Sequence, residues 1–355
     1  MSTPATSKGP EPGQVLMQLA TGFMVSAALH AVTKLGIPEL LREGPKSAEH
    51  LAREANANED ALYRVMRALA SIGVFNEVSA RTFALTPVGE LLRAGVPGTL
   101  KEMILWWDDR LHFETYAEME QALRTGETVI EKVHGDSCFD YLAKHKEVSD
   151  HFNAAMTDFS GVTVPAVLDV YDFGWLNGGT LVDIAGGHGY LLTEVLRKYP
   201  QVRGKLFDLE HVLEGAKPRL AETGLSERCE TVSGDFFQSV PGGDGYILKH
   251  IIHDWNDEKS LTILTNIHRA SSSKARVLVI DAVLAPGNEP HLAKWLDLEM
   301  LLLPGGRERT REEFAKLFER AGFRLTQVLP TKSPVCVIEA EKAHYAAPHS
   351  RPFWR

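Results

Sequence analysis

The chain predicts an α/β fold, a largely parallel Rossmann-like sheet preceded by a smaller helical module of winged-helix order. Three observations carry this. From Thr180 onward, short β-rich runs alternate with helical stretches, the pattern of a parallel sheet covered by helices. The first of these runs ends in an acid and opens into a glycine turn, Leu181-Val-Asp-Ile-Ala-Gly-Gly-His-Gly-Tyr190, with an amphipathic helix behind it. Ahead of them, within the first 100 residues, the pattern reads helix, helix, hairpin.

Taken in order, Met1 to Gly13 is rich in Ser, Thr, Pro and Gly and reads as a disordered tail without the apolar core of a signal peptide. Gln14 to Leu35 reads as one helix with apolar residues on nearly every side, including Leu16, Leu19, Phe23 and Leu29. Such a helix must be buried, which near an N-terminus points to a second subunit. Ser47 to Leu51 and Glu59 to Ile72 read as short helices, Phe75 to Leu85 as a hairpin turning near Ser79 to Arg81, and Thr86 to Arg93 as helix. Winged-helix modules often bind DNA, so charge decides. Residues 1–100 hold nine Lys plus Arg and nine Asp plus Glu, a balance of 9 − 9 = 0 where a DNA-binding module should be basic. The overall charge of −9 also argues against nucleic-acid partners.

Lys101 to Val170 reads as helical and aromatic. Strands are expected at Leu181–Ile184, Lys205–Asp208, Cys229–Ser233, Gly245–Leu248, Arg276–Asp281, Arg324–Leu329 and Val335–Glu339, the last two as an antiparallel hairpin at one edge. The expected domains are therefore a tail (1–13), a winged-helix-like dimerisation domain (14–100), a helical linker and substrate-pocket region (101–170), the Rossmann-like domain (171–345) and a C-terminal tail (346–355). No apolar run reaches the length of a membrane span, so no membrane partner is expected. Cys138, Cys229 and Cys336 are far apart with no C-x-x-C, which excludes a disulfide framework, argues against a structural zinc site and fits a reducing, cytoplasmic setting.

The glycine turn implies a nucleotide-like cofactor at the carboxyl ends of the strands. It is not a dinucleotide fingerprint, because Leu192 stands where the third glycine belongs, and no Gly-Lys-Ser/Thr follows for a phosphate loop. Asp183 would repel phosphates and suits a cationic ligand. Asp208 ends the second strand at the distance expected of a ribose ligand, and Asp235 follows the third. A glycine turn with three strand-end acids suits S-adenosyl-L-methionine better than a nicotinamide cofactor.

The next strand leads into Leu248-Lys-His-Ile-Ile-His-Asp-Trp-Asn-Asp257, on the same sheet edge. Lys249 and His253, four apart, share a face if this segment is helical. His253 is the candidate base. Asp281 and Glu308, after the fifth strand, are candidate partners for one of its nitrogens, leaving the other free to take a proton. Asp254 points elsewhere in this reading. Thr310 with Glu313 already forms a capping box, so Glu308 is left for another role. No metal-ligand cluster is visible.

The ordered set Leu181-Val-Asp-Ile-Ala-Gly-Gly-His-Gly, Phe207-Asp-Leu-Glu-His-Val, Gly234-Asp-Phe-Phe, Leu248-Lys-His-Ile-Ile-His-Asp-Trp and Gly305-Gly-Arg-Glu-Arg-Thr resembles the caffeate/acetylserotonin type of S-adenosylmethionine-dependent O-methyltransferases, in their bacterial natural-product tailoring branch. The resemblance covers about Gln14 to Ala340. It implies a class I methyltransferase domain behind a dimerisation domain, and a homodimer. It implies that Gly187 meets the methionine part, Asp208 the ribose, Asp235 and Phe236 the adenine and Lys249 the nucleoside, with Ser160 near the cofactor carboxylate. It implies His253 as general base flanked by Asp281 and Glu308, and a small aromatic hydroxylated substrate. Trp107, Phe113, Met156, Trp255 and Met300 would hold a flat ring. The chain departs from the pattern at Ala185, where glycine is usual, at Glu210, where proline is usual, and at Asp281, where plant members often carry Glu. Leu301, Leu302 and Leu303 are apolar where some plant members place a polar ligand. Two other readings stand beside methyl transfer: the same scaffold turned to hydroxylation, decarboxylation or pericyclic chemistry, and a non-catalytic ligand-sensing dimer.

Overall fold

The computed structural model describes residues 11–343, so most of the expected N-terminal tail and the whole of 346–355 lie outside the described residues. The chain forms two compact units, one of residues 11–114 and 142–158, the other of 115–141 and 159–343. The helical stretch 101–170 is thus divided between them.

In the first unit the expected single helix is two, Pro12–Ala20 and Gly22–Lys34, joined at Thr21 with a bend of 41°. The helix begins at Pro12, inside the stretch read as tail, where proline suits the first turn because it lacks an N–H that would go unpaired. Ala48–Glu54 and Glu59–Ser71 follow, each N-capped by a side chain that accepts a backbone N–H, Ser47 from His50 and Asn58 from Ala61. Strands Phe75–Ser79 and Thr82–Leu85 pair antiparallel as expected, and Lys46–Ser47 adds a third strand to the wing. Ile37, Leu51, Met66, Phe75 and Phe83 close its core. Among the described residues no single helix is long and apolar enough to cross a membrane.

The second unit is built on a seven-stranded sheet. Its strands are β1 (Thr180–Ile184), β2 (Arg203–Asp208), β3 (Cys229–Ser233), β4 (Gly243–Lys249), β5 (Ser271–Asp281), β6 (Phe323–Pro330) and β7 (Cys336–Lys342), in the order β6-β7-β5-β4-β1-β2-β3. The first five are parallel, and β7 runs antiparallel between β5 and β6, so the edge hairpin is as expected. Both faces are buried, as a parallel sheet requires. On β4, Ile247 faces one apolar layer with Leu191, Leu196 and Val167, whereas Tyr246 and Leu248 face the other with Ile263, Ile267 and Phe318. A short parallel pairing of Val283–Leu284 with Arg309–Thr310, not read from the sequence, draws the Glu308 segment up to the end of β5.

Candidate active site

The carboxyl ends of the parallel strands carry the polar groups. At the end of β1 the turn takes left-handed backbone at Ala185, Gly187 and Gly189, with φ of 52°, 58° and 73°. Gly186 has no room for a side chain, because a Cβ there would lie 2.5 Å from Asp183 Cγ and 2.6 Å from Leu206 Cδ1. A Cβ at Gly187 would meet nothing within 4 Å, so that face of the turn is open to a ligand. Asp208 pins the turn: its Oδ2 accepts the Gly187 N–H at 2.8 Å and its Oδ1 the Leu209 N–H at 2.7 Å. Burial raises its pKa above the ordinary carboxyl value, with those N–H groups opposing.

Asp183 is buried, and burial pushes it up to about 7 against the pull of Lys249. Lys249, ending β4 between β1 and β5, is itself lowered by burial, with Asp183 and Asp281 opposing. Acids and one lysine, with no cluster of cations at the turn, suit a phosphate-free cationic cofactor. The residues present therefore fit S-adenosylmethionine. Asp235 caps its own turn, its Oδ1 accepting the Phe237 N–H at 2.8 Å. Phe236, Phe237 and Trp255 form an edge-to-face cluster, with centroids 4.9 Å apart for Phe237 and Trp255 and 6.0 Å for Phe236 and Trp255. Trp255, expected against the substrate ring, thus groups with the aromatic residues of the expected adenine side. Ser160 is buried on the helix Lys146–Val170, and Met300 is buried on Ala293–Leu302. Trp107, Phe113 and Met156 belong to the first unit.

His253 sits on a single 3-10 turn, Ile252–Asp254, so the helical condition for its sharing a face with Lys249 is not met. His250, with left-handed φ of 56°, turns the chain from the end of β4 into it. His253 Nδ1 lies 2.8 Å from Glu308 Oε1, and both side chains are nearly buried. Gly306 makes this approach possible, because a Cβ there would stand 1.9 Å from the His253 carbonyl oxygen. Its neighbour Arg307 donates its backbone N–H to that oxygen at 2.8 Å. Arg309, 1% exposed, clamps the turn from beneath: Nη1 donates to the Ile252 carbonyl at 3.0 Å and Nη2 to the Trp255 carbonyl at 2.9 Å and to Asp257 at 2.8 Å.

The acid expected to point elsewhere does not. Asp254 Oδ1 is 3.5 Å from His253 Nε2, the nitrogen facing away from Glu308. Sequence adjacency implied divergence, but the tight 3-10 turn folds both side chains to one side. Burial raises Asp254 to about 7 and Asp281 to about 6. Asp281 makes no side-chain hydrogen bond to His253, and the nearby His250 N–H is given to the Ile280 carbonyl. Its influence is through charge. Burial alone would lower the basicity of His253, but Asp281, Asp254 and Glu308 together raise it to about 10. The fold also brings together side chains that are far apart in the sequence. His250, His253 and Asp281 bring one donor atom each within 4.8 Å of one another, a grouping that linear spacing hides.

Sequence reasoning thus missed Asp254, His250, Gly306 and Arg309. The signals were present in His250-Ile-Ile-His253 and in Gly305-Gly-Arg-Glu-Arg309, read there for His253 and Glu308 alone. A cavity of about 350 Å³ beside Trp255 is lined by residues including Cys138, Phe139, Phe237 and Leu303, and by none of His253, Asp281 and Glu308.

Comparison with known proteins places this geometry. Residues 116–324 match the model of the O-methyltransferase domain, and residues 17–95 that of the O-methyltransferase dimerisation domain. The chain is 43% identical over 92% of its length to the phenazine O-methyltransferase of Lysobacter antibioticus, spanning 95% of that protein. It is 35% identical over 92% of its length to the 8-amino-8-demethylriboflavin N,N-dimethyltransferase of Streptomyces davaonensis, spanning 94% of it. The crystal structure of human N-acetylserotonin methyltransferase in complex with S-adenosylmethionine superposes with a TM-score of 0.85 at 26% identity, covering 96% of this chain and 100% of that one. The chain belongs to the O-methyltransferase family and carries its dimerisation domain.

Proposed function

We propose that this S-adenosylmethionine-dependent O-methyltransferase acts as a homodimer on a phenolic hydroxyl of a small aromatic molecule, with His253 as the general base. When bound, S-adenosyl-L-methionine supplies a methyl group on a positively charged sulfur, which leaves as a neutral thioether. The observation that carries the reading is the His253–Glu308 pair, 2.8 Å apart on the sheet edge that carries the glycine turn. An amine brings its own lone pair, whereas a phenol, with a pKa of about 10, must give up a proton as its oxygen attacks. Glu308 holds Nδ1 and so directs Nε2 to that proton. The carboxylates around His253 stabilise the imidazolium that forms. The new bond joins oxygen to the methyl carbon, the carbon–sulfur bond breaks, and the proton resides on His253.

Asp208 would hold the ribose, Gly187 leave room for the methionine part, and Phe236 with Asp235 face the adenine, with Ser160, Asp183 and Lys249 completing the cofactor shell. Met300 would meet the substrate ring.

The test is incubation with methyl-labelled cofactor and a panel of phenols and aromatic amines, read by mass spectrometry. The reading expects one labelled methyl on the hydroxyl of at least one phenol. Methylation of amines alone would overturn it, and so would cofactor binding accompanied by hydroxylated or decarboxylated products.

A further inference from the structure

His250 is a second histidine in the site that the mechanism does not use. Three features set it apart from a packing residue. Its backbone takes the left-handed conformation, φ 56°, which a non-glycine residue adopts at a cost and which aims its ring alongside that of His253. The two rings have centroids 5.3 Å apart and planes tilted by 39°, and Phe159 packs on the other contact of His250 at 5.2 Å. Its Nδ1 lies 3.8 Å from Asp281 Oδ1, while its Nε2 is buried without a hydrogen-bond partner.

A buried polar atom without a partner is costly unless something fills the place. The tautomer follows from the neighbours. The Asp281 carboxylate on the Nδ1 side favours the hydrogen there, which leaves the Nε2 lone pair as an acceptor. Burial, Lys249 and His253 all hold the ring neutral, well below the ordinary histidine value, so it does not become a donor at neutral pH.

We propose that His250 is a specificity-determining residue, whose Nε2 accepts a hydrogen bond from a second hydroxyl or N–H group one or two ring positions from the hydroxyl that is methylated. The spacing sets the position. The two imidazole rings, with centroids 5.3 Å apart, can be met together by two neighbouring substituents of one ring. A substituent across the ring points away. The inference rests on the reading of His253 as proton acceptor and narrows its substrates to aromatic ortho- or meta-diols and aminophenols.

The experiment compares catechol, resorcinol, hydroquinone and phenol with wild type, His250→Asn and His250→Gln, in the presence of EDTA. Asparagine tolerates left-handed backbone but is too short to reach, whereas glutamine restores an acceptor. Wild type should favour catechol or resorcinol over hydroquinone in kcat/KM by about tenfold, the size of one hydrogen bond. His250→Asn should bring that ratio near one while phenol turnover stays within about threefold, and His250→Gln should recover part of the preference. A ratio unchanged in His250→Asn, or a parallel fall for all four acceptors, overturns the proposal. If no phenol is methylated at all, the base assignment has failed, and the same four compounds are titrated against protein loaded with S-adenosylhomocysteine. Preferential binding of the ortho- or meta-diol that His250→Asn abolishes then upholds the proposal, and its absence overturns it.

Discussion

In the N-terminal helices Leu16, Met17, Leu19 and Phe23 stand 60–71% exposed, whereas at the strand ends the carboxyl groups of Asp281 and Glu308 are almost wholly buried. The two regions depart from the ordinary distribution of side chains in opposite senses, apolar groups in water and charge out of it. In each, the departure marks what is to be bound. The exposed stripe begins one residue before the dimerisation domain, residues 17–95, and runs into it, which supports the proposed second subunit. The buried carboxylates surround one imidazole, which supports the proposed chemistry in which that imidazole gains and loses a proton. The first is a matter of area, the second of geometry, and they should respond differently to substitution.

Geometry should be the less forgiving. Gly306→Ala places a methyl where the His253 carbonyl oxygen stands, so the loop must move and take Glu308 with it. We expect kcat to fall by a factor of about 100 or more, with the dimer intact by light scattering. Area should fail by degrees. Replacing Leu16 and Leu19 by Ser would remove about 2 kcal/mol of burial per leucine at the proposed subunit interface. Analytical ultracentrifugation should show a dimer dissociating at higher concentration, and an unchanged dimer would break the comparison.

Glu308→Gln keeps the shape but removes a charge. We expect kcat to fall about tenfold to a hundredfold and the pH profile to move toward acid, because one of the groups that raise His253 is gone. In wild type, kcat/KM for a phenol should rise with pH toward about 10, as the neutral imidazole becomes available. Stability should run the other way. The raised folded-state value of His253 contributes stability that is full below its unfolded value of about 6.5 and is lost as pH rises through about 10. The smallest effect is expected at Ala185, the residue found where glycine is usual, at φ 52°. Ala185→Gly should stabilise by about 1 kcal/mol in urea unfolding, through relief of the left-handed backbone.

Much of this was legible in the sequence because it rests on local patterns. The capping box of Thr310 and Glu313 forms as read, with Glu313 N–H on Thr310 Oγ1 at 3.2 Å and Thr310 N–H on Glu313 Oε2 at 2.9 Å. The strand run from Leu181 to Glu339 was visible from alternation of strand and helix, and the edge hairpin from its short turn. What could not be read depends on chain folded back over long separations. Nothing local says that Gly306 must lie on the His253 carbonyl, or that Asp281 comes beside His250. Adjacency of Asp254 to His253 implies divergence in a strand but not in a 3-10 turn, so its place beside the imidazole is not legible from spacing. The break at Thr21 was hidden because apolar residues continue through it.

The most direct test of the central claim is the single-turnover rate of methyl transfer to a phenol in wild type and His253→Gln, with cofactor affinity measured alongside. Loss of transfer by about 10² to 10⁴-fold at unchanged cofactor affinity is the expected result. Transfer at the wild-type rate in His253→Gln would contradict the account.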